Sequence, residues 1–320
     1  MLPLVEKYRP HTLADVVGND ALVQRLQYFA EHGNLPHLLL TGTPGLGKTT
    51  IALCLGNQML GEHRAEAFLE LNASDERTLS DIREKVRTFA QKQVTLPPGK
   101  HKIIFLDECD AMVEGAQQAL RRIMDDEATT TRFCLACNTI SKIIEPLQSR
   151  CCILRIIPPT NEQLVKRLGY ICEQEGITFD TVSLQELADR SKQDVRLAVN
   201  NLQAVADAND RIVSLEGLNR TMPIIDPTII NTILSLTLNG ELDQAWKKTD
   251  ELLASGFTPD DVLASLTSHV ISPTEKYNDV VRAILLKIIA TAHSRIKTVV
   301  STPLQVCRVL AEIYIQAPRR

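Results

Sequence analysis

Gly42-Thr43-Pro44-Gly45-Leu46-Gly47-Lys48-Thr49 decides the fold of this chain. The spacing is that of a phosphate-binding loop. Its glycines bare a curl of backbone N–H groups, and the start of the following helix adds partial positive charge. In such a loop the Lys48 ammonium reaches the β- and γ-phosphates of a nucleoside triphosphate, and the Thr49 hydroxyl ligates Mg²⁺. The flanks agree: His37-Leu38-Leu39-Leu40 reads as a buried strand, and Thr50 to Leu60 as a helix. The loop would sit at the carboxyl end of a strand, where open parallel sheets bind ligands.

Working outward, four more short apolar runs read as strands: Phe68–Leu71, Ile103–Leu106, Phe133–Cys137 and Ile153–Ile156. Strands separated by helical patterns argue for a parallel α/β sheet over residues 1–157. Pro158-Pro159-Thr160 breaks the pattern. Beyond it Asn161–Glu175, Leu184–Ser191 and Val195–Ala208 read as three amphipathic helices, a small all-α unit ending near 222, with Thr160 or Asn161 as the N-cap of the first. A second break, Met222-Pro223-Ile224-Ile225-Asp226-Pro227, reads as a linker. Residues 223–320 then form a third unit, helical after that linker.

Composition narrows the partners. The 320-residue chain is 44% hydrophobic and 23% charged, with a formal net charge of −4, so any nucleic-acid contact must come from a local basic patch. Aromatic residues make up 4%, which argues against a stacking platform for single strands. No apolar run reaches the ~20 residues of a membrane span, and no signal peptide is visible. The eight cysteines show no disulfide framework. Cys134 and Cys137 lie in a strand, where an offset of three puts the thiols on opposite faces. They read as buried structural thiols in a reducing compartment.

The apolar run Ile103-Ile104-Phe105-Leu106 ends in Asp107-Glu108. Asp107 is placed to hold Mg²⁺ through its water shell. Side chains near a strand end alternate, so Glu108 points elsewhere and is placed to polarise an attacking water as general base. Asn138 ends the next strand. Its amide can orient that water or meet the γ-phosphate, or it is a turn residue of a common type. Arg150, just before the last strand, reads equally as a surface ion-pair partner or a functional group. Arg196 opens a helix, where the dipole disfavours a cation, and this hints at a further role.

With these residues in view, the chain resembles the small subunits of the replication factor C clamp loaders, within the AAA+ ATPases. The resemblance rests on Val5-Glu6-Lys7-Tyr8-Arg9-Pro10, Val16-Val17-Gly18-Asn19, the phosphate loop, Leu71 to Arg77, Leu106-Asp107-Glu108-Cys109-Asp110, Gly115 to Arg122, Ala136-Cys137-Asn138, Ile144 to Cys151 and Asn200-Asn201-Leu202-Gln203. Gln93 to Lys102 is similar to eukaryotic forms, in particular the small subunit called 4 in fungi and 2 in animals.

The resemblance implies an AAA+ parallel-sheet ATPase domain (1–157), a helical lid (158–222) and an all-α collar for oligomerisation (223–320). It implies ATP and Mg²⁺ as cofactors, with Gly42, Thr43, Pro44, Gly45, Leu46, Gly47, Lys48, Thr49 and Thr50 on the phosphates. Val5, Tyr8, Arg9, Pro10, Val16 and Val17 would wall the adenine pocket; their apolar area and aromatic face suit a base. Asn138 matches the first sensor, Arg196 the second, and Arg150 an arginine finger that serves the neighbouring subunit's ATP. Four positions depart from the family pattern: Leu4 for a usual Trp, Thr78 and Gln193 for Gly, and Cys109 for Ala.

Residues 77–92 are basic, and Arg83 and Arg87, at i and i+4, share a helix face. Alone they read as a solvated face; with the resemblance they read as sequence-independent contacts to the phosphates of primer–template DNA. Arg121 and Arg122 could face DNA or a neighbouring subunit. The implied job is ATP-driven loading of the PCNA sliding clamp within a hetero-pentamer of replication factor C subunits, in the nucleus, although no basic nuclear-import run is visible. Two alternatives stay open: a non-catalytic ATP-binding scaffold, and another AAA+ DNA-remodelling ATPase.

Overall fold

The computed structural model of this chain describes residues 2–74, 79–272, 277–298 and 302–316. Thr78, one of the departures noted above, lies outside them, as does the side chain of Arg83. The described residues divide into two units, 1–222 and 223–320.

In the first unit five strands form one parallel sheet: β1 (Leu38–Thr41), β2 (Phe68–Asn72), β3 (Lys102–Asp107), β4 (Thr131–Cys137) and β5 (Cys152–Arg155), in the order β2-β3-β4-β1-β5. β1 pairs with β4 on one side and β5 on the other. β4 in turn lies beside β3, with Leu106 opposite Leu135. The carboxyl ends of β1, β4 and β3 therefore lie side by side, and they carry Gly42, Asn138 and Glu108 onward from the sheet.

Strand alternation sends neighbouring side chains to different cores. Leu38, Leu40, Phe105, Cys134 and Ala136 join one apolar cluster with Ile51, Leu55 and Met59 of the helix Lys48–Leu60. Leu39, Ile104, Leu106, Leu135 and Cys137 join a second, with Leu120 and Met124 of the helix Glu114–Asp126. Cys134 and Cys137 thus fall on opposite faces, both buried. Burial pushes both thiols above their usual pKa, so neither is a thiolate near neutrality.

Lys102 opens β3 and is 5% exposed. Its ammonium donates to the carbonyls of Phe89 (3.2 Å), Ala90 and Lys92 (2.7 Å). A cation on carbonyls left open at a helix C-terminus is favourable. It ties the end of the helix Leu79–Gln91 to the start of the strand that carries Asp107.

Residues 161–221 form a helical layer with its own core, Leu164, Leu168, Leu187, Leu202 and Leu218 among it. Thr160 is the N-cap of Asn161–Glu175, in a capping box with Gln163. The second helix runs Thr181–Arg190, and the third Val195–Ala208. The all-α reading of this stretch needs correction. Two two-residue strands, β6 (Thr178–Phe179) and β7 (Ile212–Val213), pair in parallel, and a fourth helix covers Leu215–Thr221. Segments this short carry no alternation signal. They form because Gly176 (φ 64°) ends one helix, and Asp210 and Arg211 (φ 48° and 60°) turn the chain after another.

The second unit packs the helices Pro227–Asn239, Leu242–Ala254, Pro259–Ile271, Asp279–Thr298 and Pro303–Gln316 around a core that includes Ile233, Leu266, Leu285 and Leu310. Among the described residues no helix is long and apolar enough to cross a membrane.

His37, half-buried before β1, accepts the Phe133 N–H on Nδ1 (3.1 Å) and packs edge-on to the Phe133 ring. Burial, helped by the Arg132 charge, lowers its pKa from 6.5 to about 4. The unfolded chain therefore binds the proton first: stability is full above pH 6.5 and falls as the pH drops towards 4. A His37→Gln variant should show a shallower decline of its thermal midpoint than the parent between those two pH values; parallel declines would contradict this.

Candidate nucleotide-binding site

The loop after β1 curls back over the start of the helix Lys48–Leu60, with Gly45 at φ 78° and Gly47, the N-cap, at φ 84°. Lys48 is 8% exposed, so its ammonium needs acceptors. It donates to the Gly42 carbonyl (2.8 Å), the Thr43 carbonyl (2.9 Å) and Asn138 Oδ1 (2.7 Å). Burial lowers its pKa, and the Asp107 carboxylate opposes this most strongly.

The Thr49 hydroxyl donates to Asp107 Oδ2, which brings the two proposed Mg²⁺ ligands into contact across β1, β4 and β3. Asp110 accepts from the backbone N–H groups of Asn138 (3.2 Å) and Thr139 (3.3 Å). It fixes the turn that presents the Asn138 amide. Glu108 departs from the strand-alternation argument. β3 stops at Asp107, and Glu108 is left-handed (φ 54°, ψ 38°). Its direction comes from that backbone and not from the pleat. A left-handed non-glycine residue costs about 1–2 kcal/mol, and such strain gathers at functional sites. The Glu108 side chain is exposed at the strand end.

One cleft, about 920 Å³ of empty space including its open mouth, collects most of the remaining candidates. Val5, Tyr8, Arg9 and Pro10 contribute from the N-terminal strap, with Val16 and Val17 after it. Gly45, Leu46, Gly47, Lys48, Thr49 and Thr50 contribute from the loop and its helix, and Arg196 from the helical layer. Gly42, Thr43, Pro44 and Asn138 stand outside the lining; Pro44 is exposed in the turn of the loop.

Gln193 has φ 63°, a conformation that glycine takes without cost. The family's usual glycine at this position therefore meets a backbone need that Gln193 also fulfils. Asp194 follows as N-cap, accepting from the Leu197 N–H (2.9 Å). Arg196, two residues on, is exposed at the cleft.

Arg150 is not in the cleft lining. It holds Asp125 in a two-pronged pair (Nε–Oδ1 2.7 Å, Nη2–Oδ2 3.1 Å) and donates to the Pro146 carbonyl (2.8 Å). Arg121 lies 4.0 Å from the same Asp125. Arg122 turns to another side and lines a groove with Arg87, Gln118 and Asp126. The two neighbouring arginines thus serve different surfaces.

Sequence reasoning passed over Arg167, which lines the cleft and donates to the Tyr8 carbonyl (2.6 Å), and the packing of Asp194 on Gly45. Asp194 carried a local signal as a helix cap; its contact with the loop, 149 positions away in sequence by difference of the two numbers, carried none.

A parallel sheet with a phosphate loop, an Asp-Glu pair at a strand end and an arginine from a helical layer defines an AAA-type P-loop ATPase. Residues 38–159 match the ATPase family associated with various cellular activities (AAA), and residues 225–312 the replication factor C C-terminal domain. Replication factor C subunit 4 of Schizosaccharomyces pombe is 44% identical over 96% of this chain and 90% of its own length. Replication factor C subunit 4 of Saccharomyces cerevisiae is 41% identical over 98% and 96%. The replication factor C small subunit of Saccharolobus solfataricus is 39% identical over 97% and 93%. The chain belongs to the replication factor C small-subunit family. The solved structure of the Thermotoga maritima RuvB Holliday junction branch migration motor is similar at a TM-score of 0.58 and 19% identity, over 71% of this chain and 79% of that one, a likeness of fold.

A Cβ at Gly45 would stand 2.1 Å from the Asp194 carboxylate, in a left-handed backbone. Gly45→Ala should weaken ATP binding by roughly tenfold or more in a fluorescent-nucleotide titration. Adding Asp194→Gly should restore part of that loss; no recovery would show that the contact is not the cause.

Proposed function

We propose that this chain is an ATP-hydrolysing subunit of a DNA sliding-clamp loader, working beside other replication factor C subunits on PCNA and primer–template DNA in the nucleus. One observation carries the reading: Lys48, Thr49, Asp107, Glu108 and Asn138 gather at the carboxyl ends of β1, β4 and β3, while Arg150 stands apart from the cleft, half-exposed and held on Asp125. These five residues supply the phosphate, metal and water contacts and Arg196 reaches the cleft from the helical layer, whereas Arg150, held away from the cleft, is left to act on the charge that develops in a neighbouring site.

The roles follow from the chemistry. Lys48 neutralises phosphate oxygens; all three of its N–H groups are committed, so meeting a phosphate exchanges at least one of its present acceptors. Thr49 and Asp107 are a hydroxyl and a carboxylate, hard oxygen donors that fit Mg²⁺ held together with substrate phosphates. When bound, Mg²⁺ offsets negative charge on the β- and γ-phosphate oxygens. Glu108 accepts a proton from the attacking water, and the Asn138 amide orients that water or the γ-phosphate. Arg196 meets the nucleotide from the helical layer. Arg150 serves the ATP of a neighbouring subunit, and hydrolysis in each site depends on the adjacent chain.

Arg87 and Arg122 line one groove from two helices, and this supports phosphate contacts to duplex DNA. Arg83 lies one turn before Arg87 on the helix Leu79–Gln91. Such contacts fix position without reading bases.

In a reconstituted assembly, Glu108→Gln should keep ATP binding and lower turnover at its own site by about 10²–10⁴. Turnover equal to the parent would make this chain a scaffold. Arg150→Ala should keep its own ATP affinity and lower turnover at the adjacent site by about 10³ or more; unchanged turnover there would remove the finger assignment. Arg87→Ala with Arg122→Ala should weaken DNA binding across all sequences and flatten its salt dependence by about two units of slope. An unchanged slope would take DNA off this groove.

A further inference from the structure

The N-terminal strap joins two parts of the first unit, and its ties change partner within two residues. Up to Tyr8 they run to the helical layer. Leu4 is buried in that layer's own core, and its N–H donates to Gln203 Oε1 (2.9 Å). The Tyr8 carbonyl accepts from Arg167 (2.6 Å). From Arg9 onward they run to the helix that follows the phosphate loop. Arg9 Nε reaches Thr50 Oγ1 (3.4 Å), and the Pro10 and His11 carbonyls accept from Cys54 (3.1 Å) and Asn57 (3.3 Å).

Glu175 holds the first half in place. Its Oε1 accepts from the Lys7 ammonium (2.6 Å) and the Tyr8 hydroxyl (2.7 Å), and Oε2 lies 3.9 Å from the Arg211 guanidinium. The Glu175 side chain is 8% exposed, but Lys7 and Arg211 are about half exposed, so water screens the two ion pairs and the part-buried Tyr8 hydroxyl bond is the more sheltered tie. The strap cannot hold this shape alone, because its helix Leu4–Lys7 is a single turn. Val5 and Tyr8 line the nucleotide cleft, as do Val195, Arg196 and Val199 of the helical layer. Glu175 itself is not in that lining.

We infer that Glu175 is a positioning residue for base recognition: it fastens the base-facing part of the strap to the helical layer. The Val5 and Tyr8 part of the base wall then belongs with Arg196 to one piece, and Arg9, Pro10 and Val16 belong with the phosphate loop and its helix to another. This rests on the nucleotide-binding reading above. Removing the Glu175 carboxylate leaves Lys7 and the Tyr8 hydroxyl without their shared acceptor, while Arg211 keeps its bond to the Glu175 carbonyl (3.0 Å). The Lys48, Thr49 and Asp107 contacts are untouched, because they lie on the sheet and the loop. Base-dependent binding should suffer while triphosphate binding does not.

The test titrates the 320-residue chain with Mg-ATP, Mg-GTP and inorganic tripolyphosphate. Glu175→Ala should weaken ATP by roughly tenfold, shrink the preference between ATP and GTP, and leave tripolyphosphate within about twofold of the parent. Glu175→Gln, which keeps the shape and one acceptor oxygen, should show a smaller loss of the same kind, and it carries the readout should the alanine variant unfold. Parallel loss of ATP and tripolyphosphate, or ATP binding equal to the parent, would overturn the role of Glu175. A parent chain that binds no Mg-ATP would overturn the nucleotide reading itself.

Discussion

A buried ammonium organises this ATPase. Lys48 sits almost out of water, and a charge there is tolerated only if its donors are met. The acceptors come from three places: the loop's own carbonyls at Gly42 and Thr43, and Asn138 at the end of β4. That requirement fixes which strands can flank β1. β4 must lie beside it, so that Asn138 stands level with the loop. β3 must lie beside β4, so that Asp107 can take the Thr49 hydroxyl. The apolar pleat supplies most of the cohesion, sending alternate side chains into two separate cores. The polar groups at the strand ends make the register matter, since a slip of one residue would exchange the cores and strand the ammonium.

The same edge shows how the chain divides its work. The phosphate side rests on the sheet. The base side is assembled from the strap, Val16, Val17 and the helical layer; the layer meets the loop through Asp194 against Gly45, and the strap meets the loop's helix through Arg9 against Thr50. Arg150 belongs to neither side. Asp125 and the Pro146 carbonyl hold its guanidinium on another surface, where Arg121 also gathers. To serve a neighbouring site, Arg150 must exchange Asp125 for phosphate, a trade between two anions that a half-exposed arginine can make at modest cost.

How much of this was legible in the sequence depended on range. The loop and the Asp107-Glu108 strand end were readable because each couples a residue type to a local pattern, and the parallel sheet followed from the spacing of the strands. Asn138 stood equally as a turn residue until the resemblance, carried by motifs spread through the chain, singled it out. Glu108 shows the limit of periodicity: alternation stops mattering once the backbone turns left-handed. Arg121 and Arg122 were inseparable by composition, and only the helix's rotation sends them to different surfaces. Glu175, Arg167 and Asp125 gave no local signal at all. Each looks like an ordinary charge on a solvated helix until a segment distant in sequence is folded against it. The two-residue strands at 178 and 212 were invisible for a simpler reason, being too short to alternate.

The central claim is that this chain holds a complete binding site and an incomplete catalytic one. Steady-state ATP hydrolysis, measured on the chain alone and then with partner subunits of its family added, tests it most directly. The account predicts saturable ATP binding by the isolated chain with slow turnover, and a rise of about 10³-fold or more once neighbours supply the missing arginine. Fast turnover by the isolated chain, independent of its concentration and of added partners, would contradict it.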